Sequence, residues 1–130
     1  MRLTALAFAA GLLLAPSAVL AESGLPVVTV HKSPTCGCCG AWADHMRDNG
    51  FTVIEKATEG MPQVKALAGV PGELASCHTA VVDGYIIEGH VPAADVQRLL
   101  AEAPDAAGLA VPGMPPSSPG MDVPGYDTPY

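Results

Sequence analysis

The sequence predicts a small α/β domain with the element order βαβαββα, followed by a Pro/Gly-rich C-terminal tail. Three observations predict it. Short β-branched runs alternate with segments whose apolar residues recur at helical spacing. Two later runs flank Asp83-Gly84, a dipeptide that tolerates positive φ and suits a two-residue hairpin turn. Beyond Pro104, proline and glycine become too frequent to sustain a helix or an inner strand.

Residues 27–32 (Val-Val-Thr-Val-His-Lys) form the first predicted strand, which Pro34 ends. A helix is expected over 39–49, with Trp42 and Met46 on one face at i, i+4 spacing and Asn49-Gly50 as its stop. Residues 51–57 give a second strand. Pro62 then opens a short helix with Val64, Leu67 and Ala68 on one side, closed by Gly69. Strands at Thr79–Val82 and Tyr85–Glu88 should be antiparallel neighbours. Pro92 stands where a first helical residue belongs, and Val96, Leu99 and Leu100 form the apolar face of a last helix ended by Pro104. Two parallel strands joined by a right-handed crossover, then a hairpin and a closing helix, make a thioredoxin-like arrangement. In the tail, 105–130, Leu109, Val111, Met114 and Met121 are side chains that a purely solvated segment does not need, so its first part, to about Met121, is expected to lie over the domain.

Residues 1–21 carry Arg2, an apolar run from Leu3 to Leu14, and small residues ending at Val19-Leu20-Ala21. This pattern reads as a secretory signal peptide cleaved near Ala21. Pro16 and Ser17 interrupt the run, which argues against a membrane anchor of about 20 apolar residues. The expected product is periplasmic or secreted, has no stable membrane anchor, and holds one small domain over 22–104. Loss of Arg2 with the leader takes the formal charge from −7 to −8. Such a balance excludes binding that rests on neutralising nucleic-acid phosphates.

Three of the four cysteines lie in Cys36-Gly37-Cys38-Cys39, at the predicted strand-to-helix turn. Exported chains usually pair an even number of cysteines in structural disulfides. The spacing fits that poorly, because adjacent Cys38 and Cys39 could pair only through a strained ring and the cluster has a single distant partner, Cys77. Cys36 and Cys39 have the C-x-x-C spacing of a redox pair at the positive end of a helix. Cys38 is then surplus. In the predicted fold Cys77-His78-Thr79 begins the third strand, where Cys77 would face the cluster and bring four sulfurs together. Four thiolates carry −4, which a helix end offsets by only about half a unit. A Zn²⁺ ion would leave −2, as tetrahedral four-cysteine sites tolerate. One or several Cu⁺ ions would take the charge nearer zero, and soft sulfur ligands select Cu⁺. An iron–sulfur cluster would require assembly before export.

His31 and His45 read as ordinary packed or solvated residues. His78 adjoins Cys77 and would point to the opposite face of a regular strand, while His90 sits at a turn after the fourth strand. Both are additional metal-ligand candidates. Met114 and Met121 are soft thioethers of second rank, since lone methionines in apolar segments more often pack than ligate.

The stretches Ser33-Pro34-Thr35-Cys36-Gly37-Cys38-Cys39-Gly40, Ser76-Cys77-His78-Thr79-Ala80, Ile87-Glu88-Gly89-His90-Val91-Pro92-Ala93 and Gly108-Leu109-Ala110-Val111-Pro112-Gly113-Met114-Pro115 follow one another in order. Together they resemble the successive motifs of the exported, copper-resistance-associated CopG family, distinct from the DNA-binding repressor that shares the name. The resemblance runs from about Val27 to Met121 and leaves 122–130 outside the pattern. It implies a periplasmic thioredoxin-like protein that binds Cu⁺ through Cys36, Cys38, Cys39 and Cys77, with an ordered first part of the tail.

The expected function is therefore Cu⁺ binding in copper resistance or homeostasis, coupled to thiol redox state, with periplasmic copper-handling proteins as partners. The competing expectation is a thiol-disulfide oxidoreductase in which Cys36 attacks and Cys39 resolves. A structural zinc site is the third.

Overall fold

The computed structural model describes residues 24–130, so the expected leader lies outside the described residues. Along them run β1 (Val28–Lys32), α1 (Gly37–Asp48), β2 (Val53–Ala57), α2 (Met61–Leu67), a 3₁₀ turn (Gly72–Leu74), β3 (Thr79–Val82), β4 (Tyr85–Glu88), α3 (Ala93–Glu102) and β5 (Gly108–Ala110). The strands form one sheet in the order β2-β1-β3-β4-β5. β1 and β2 are parallel and joined through α1, whereas β3 runs antiparallel to both β1 and β4. This is the predicted thioredoxin-like α/β arrangement, with one strand more than the sequence suggested.

Strand alternation sends Val28 and Val30 of β1, Ala80 and Val82 of β3, and Ile87 of β4 into one core. Trp42, Ala43 and Met46 of α1 and Val96 and Leu99 of α3 close that core from the same face. The i, i+4 pair Trp42 and Met46 is fully buried, as its spacing predicts. Trp42 also donates its indole N–H to the Val91 carbonyl at 2.8 Å, which ties α1 to the turn leading into α3.

Several boundaries differ from those predicted. α1 starts at Gly37, two residues before the expected Cys39, because Cys36 already has the extended N-cap conformation and its carbonyl accepts from the Gly40 N–H. β2 starts at Val53, and Phe51 instead packs into the core. Pro92 caps α3 rather than opening it. α2 has no fully buried residue, and Leu67, expected on its inner side with Val64 and Ala68, is 90% exposed. Seven residues make barely two turns, and the inner side is shared instead by Val64, Lys65 and Ala68.

The unpredicted strand is β5. It pairs in parallel with β4, Ile86 opposite Gly108 and Glu88 opposite Ala110, on the outer edge where three residues suffice. Gly108 makes this pairing possible, since a Cβ at that position would overlap the Ile86 carbonyl. After β5 the chain crosses the end of the sheet. Val111 N–H donates to the Glu88 carbonyl at 3.0 Å, and Gly113 N–H reaches the Ala75 carbonyl at 3.4 Å. At Gly120 the backbone lies so close to α1 that a Cβ would stand 2.7 Å from the Trp42 nitrogen and 2.9 Å from the Cys38 oxygen. Residues 124–130 are exposed, although Ser117 Oγ still donates to the Thr128 carbonyl at 2.6 Å.

Gly108→Ala should therefore destabilise the domain by on the order of 1–3 kcal/mol, the usual consequence of a steric conflict in a packed element. Gly40→Ala, on α1 where a Cβ meets nothing within 4 Å, should leave stability unchanged or raise it. Thermal unfolding followed by circular dichroism checks both, and equal losses in the two variants would contradict this account of β5.

Candidate metal centre

The turn between β1 and α1 and the segment entering β3 meet at one end of the sheet. The meeting follows from register, because β1 pairs with β3 through His31 opposite Thr79, leaving Cys77-His78 beside the turn that holds Cys36. Cys36 occupies the N-cap of α1, and Cys38 and Cys39 lie in its first turn. Cys39 is fully buried, while Cys36, Cys38 and Cys77 are half-buried. The sulfurs of all four lie within 4.8 Å of one another.

Cys36 and Cys39 are joined as a disulfide, with a Cα–Cα distance of 5.4 Å, and Cys38 and Cys77 are free thiols. Cys38 Sγ is 3.6 Å from Cys36 Sγ. A fit to a soft cation can be judged from these distances. Tetrahedral metal–sulfur bonds of about 2.3 Å separate ligand sulfurs by about 3.8 Å. A cluster within 4.8 Å matches that scale once Cys36 and Cys39 are reduced by two electrons and two protons.

The histidines contribute a second group around the same sulfur. Cys77 Sγ, a His78 ring nitrogen and a His90 ring nitrogen lie within 4.8 Å of one another. His90 Nδ1 is 2.7 Å from the Pro119 carbonyl, which can only accept, so Nδ1 carries the proton. Burial holds the His90 pKa below its ordinary value and the ring neutral, with the Pro119 bond acting in the opposite sense. Its Nε2 lone pair therefore faces Cys77 Sγ, 3.0 Å away. A ring whose second nitrogen is fixed by a carbonyl is the usual state of a metal-ligating histidine.

His78 lies 4.4 Å, centroid to centroid, from Trp42 and 5.0 Å from His90. Its Nδ1 is 3.4 Å from Cys77 Sγ, and its Nε2 is the one buried side-chain polar atom without a partner among the described residues. The expectation of an opposite-facing ring applied to a regular strand; β3 begins only at Thr79, and the ring packs on Trp42 while keeping Nδ1 near Cys77. His31 and His45 belong to neither group. His45 Nε2 instead accepts the Ala93 N–H at 3.1 Å, at the start of α3. Met114 is 51% exposed on the crossing segment, and Met121 is half-buried next to Gly120.

Burial, reinforced by Cys38, pushes the Cys77 thiol pKa up to about 11. The proton stays on sulfur at neutral pH and points at the His90 lone pair.

Sequence reasoning passed over the groups behind this face. Glu88 is 2% exposed and accepts from the Ser76 N–H at 2.7 Å and the Thr79 hydroxyl at 2.6 Å, with Lys65 as its ion-pair partner. A glutamate closing the apolar run Tyr85-Ile86-Ile87 was the available signal. The Pro119 carbonyl left none, since any residue supplies one.

An α/β domain of thioredoxin-like topology with clustered cysteines and histidines at the end of its sheet carries the donor set of a metal-binding protein. A family profile described as "Protein of unknown function, DUF411" matches residues 74–121, the span that carries Cys77, His78, His90 and the crossing segment. The chain is similar to two solved structures titled copper resistance protein CopG. One, form 2, is 45% identical over 80% of this chain and 83% of its own, with a TM-score of 0.76. The other, form 1, is 47% identical over 78% and 81%, with a TM-score of 0.73. No curated protein matches the chain. At this identity and coverage, the chain belongs to the CopG family of copper resistance proteins.

The buried histidine gives a pH signature in the metal-free protein. Burial, then the positive charge that His90 takes up in acid and that of Lys65, push the His78 pKa from 6.5 to about 3. The unfolded chain thus takes up this proton near pH 6.5 and the native state only near 3. The stabilisation is complete above 6.5 and is lost as pH falls towards 3, at up to about 1.4 kcal/mol per pH unit. Urea denaturation of the metal-free protein between pH 6.5 and 5 should show a steeper loss for the parent than for His78→Phe, and equal slopes would refute the assignment.

Proposed function

We propose that the protein is a periplasmic Cu⁺-binding protein of copper resistance or homeostasis, with Cys36, Cys38, Cys39 and Cys77 as its ligands. The observation that carries this reading is the convergence of four sulfurs from two distant segments to within 4.8 Å, in a member of the CopG family. Sulfur in this number selects a soft cation. His90, whose lone pair is aimed at the same sulfur, is the favoured additional ligand, and His78 stands behind it. Met114 and Met121 on the crossing segment are the remaining candidates.

In this reading copper is cargo. The chain supplies thiols that exchange protons for Cu⁺, and the Cys36–Cys39 disulfide sets when they are available. Oxidation removes two sulfurs from the ligand set, and reduction restores them. Uptake and release are then coupled to thiol redox state, and copper-handling proteins of the periplasm are the exchange partners. Export rests on the signal-like residues 1–21. Among the described residues, no helix is long and apolar enough to cross a membrane.

A second reading, thiol-disulfide oxidoreductase, is favoured by the disulfide itself and by its place at the start of α1. The two readings differ over Cys38 and Cys77. A redox pair needs neither, whereas a four-sulfur site needs both.

Anaerobic, reduced protein titrated with Cu⁺ against a chromophoric chelator should bind at least ~100-fold more tightly than the variant with all four cysteines changed to serine, as loss of directly ligating groups implies. Equal affinities would sink the copper reading. Cys38→Ser and Cys77→Ser should each weaken Cu⁺ binding; full retention of a disulfide-reductase activity in both, with copper binding unchanged, would favour the oxidoreductase. Metal analysis of the purified protein separates copper from a structural Zn²⁺ site.

A further inference from the structure

We propose that Glu88, paired with Lys65, is a positioning residue that sets the Cys77 sulfur opposite the Cys36-Gly37-Cys38-Cys39 turn. The inference rests on the copper-site reading of Cys77 and adds a device that the cysteines themselves do not contain.

The Glu88 carboxylate is 2% exposed on the sheet face opposite the main core, since alternation along β4 sends Ile87 into the core and Glu88 the other way. Its Oε1 accepts the Ser76 N–H at 2.7 Å and the Lys65 ammonium, and its Oε2 accepts the Thr79 hydroxyl at 2.6 Å. Lys65 also donates to Thr79 Oγ1 at 3.0 Å. One carboxylate thus grips the residues on either side of Cys77-His78. Between those grips the chain is irregular, because the 3₁₀ turn ends at Leu74 and β3 begins at Thr79.

Stability alone is a poor reason for this arrangement. Buried ion pairs seldom stabilise more than well-packed apolar residues of the same volume. The geometry they enforce is a different matter. The carboxylate fixes Ser76 and Thr79 against β4, and the Gly89 N–H donates to the His78 carbonyl at 3.0 Å from the next residue along. The same end of β4 then carries His90, so the sulfur and the imidazole that face each other are both referred to Glu88. A Cβ at Gly89 would stand 2.6 Å from Ser76 Cβ and 2.6 Å from the Val111 carbonyl, which shows how closely the three segments are drawn together.

The test is a double-mutant cycle on the full mature chain, reduced and anaerobic, with Cu⁺ affinity read by chelator competition. Glu88→Gln should weaken binding about ten-fold, the scale of one mispaired buried polar group. In a Cys77→Ser background the same change should have no further effect. Equal weakening by Glu88→Gln in both backgrounds would overturn the positioning role while leaving the copper site intact. If Cys77→Ser alone left affinity unchanged, the copper reading of Cys77 would fail and this proposal with it. Should Glu88→Gln not fold, Thr79→Val removes one grip with little change of shape and is expected to give the same coupling at a smaller amplitude. An independent readout is residue-resolved alkylation of metal-free reduced protein. Cys77 should react several-fold faster in Glu88→Gln or Thr79→Val, with Cys38 unchanged, whereas a general loss of stability would accelerate both cysteines together.

Discussion

The candidate site depends on a single placement, that of β3 between β1 and β4. β1 delivers its turn and the cysteine cluster at the end where it runs out of strand. A neighbour running in the opposite direction must begin at that same end. Because β3 is antiparallel to β1 and pairs Thr79 with His31, the residues just ahead of it, Cys77 and His78, are brought to the Cys36 turn. β4, antiparallel in turn, ends beside the start of β3 and carries His90 into the same space. Two antiparallel pairings, one of them a hairpin, therefore bring Cys77 and His90 to the Cys36 turn from distant parts of the chain.

The sequence made much of this legible for physical reasons. Alternating β-branched runs and Asp83-Gly84 located β3 and β4, and helical spacing of Trp42 with Met46 located α1. Once those elements were ordered, the approach of Cys77 to the cluster followed from topology. What stayed hidden depended on contacts between distant residues. β5 is three residues long and owes its existence to an available edge and the bare backbone of Gly108, neither of which leaves a periodic pattern. Leu67 looked like a core residue by spacing, yet α2 is too short for spacing to fix which side it buries. His78 lies just ahead of β3, where alternation alone does not decide that its ring meets both Trp42 and Cys77.

The polar groups under α2 form the other half of the support. Glu88, Lys65, Ser76 and Thr79 satisfy one another with little solvent, so none can move without leaving a buried donor or acceptor unpaired. The main core, built from Val28, Val30, Trp42, Met46, Ala80 and Ile87, lies on the opposite face of the sheet. Cys77 leaves the sheet end between an apolar layer and a polar one. The apolar layer is tolerant of small shifts; the polar layer, being directional, is not. This division suits a site whose sulfur positions must be held by a segment that is neither helix nor strand.

The crossing segment after β5 adds a constraint of a different kind. Its Pro119 carbonyl holds the proton on His90 Nδ1 and so presents the Nε2 lone pair to Cys77. Without that carbonyl the ring could carry its proton on either nitrogen, and one of the two neutral tautomers would turn an N–H towards the sulfur. Cys77, with a pKa raised to about 11, keeps its proton in a bond to that lone pair at neutral pH. In the proposed copper reading, a soft cation bound at Cys77 would replace that proton and leave the imidazole lone pair free. The tail, Cys77 and His90 are thus one coupled unit, in which the backbone of Pro119 selects which imidazole nitrogen meets the sulfur.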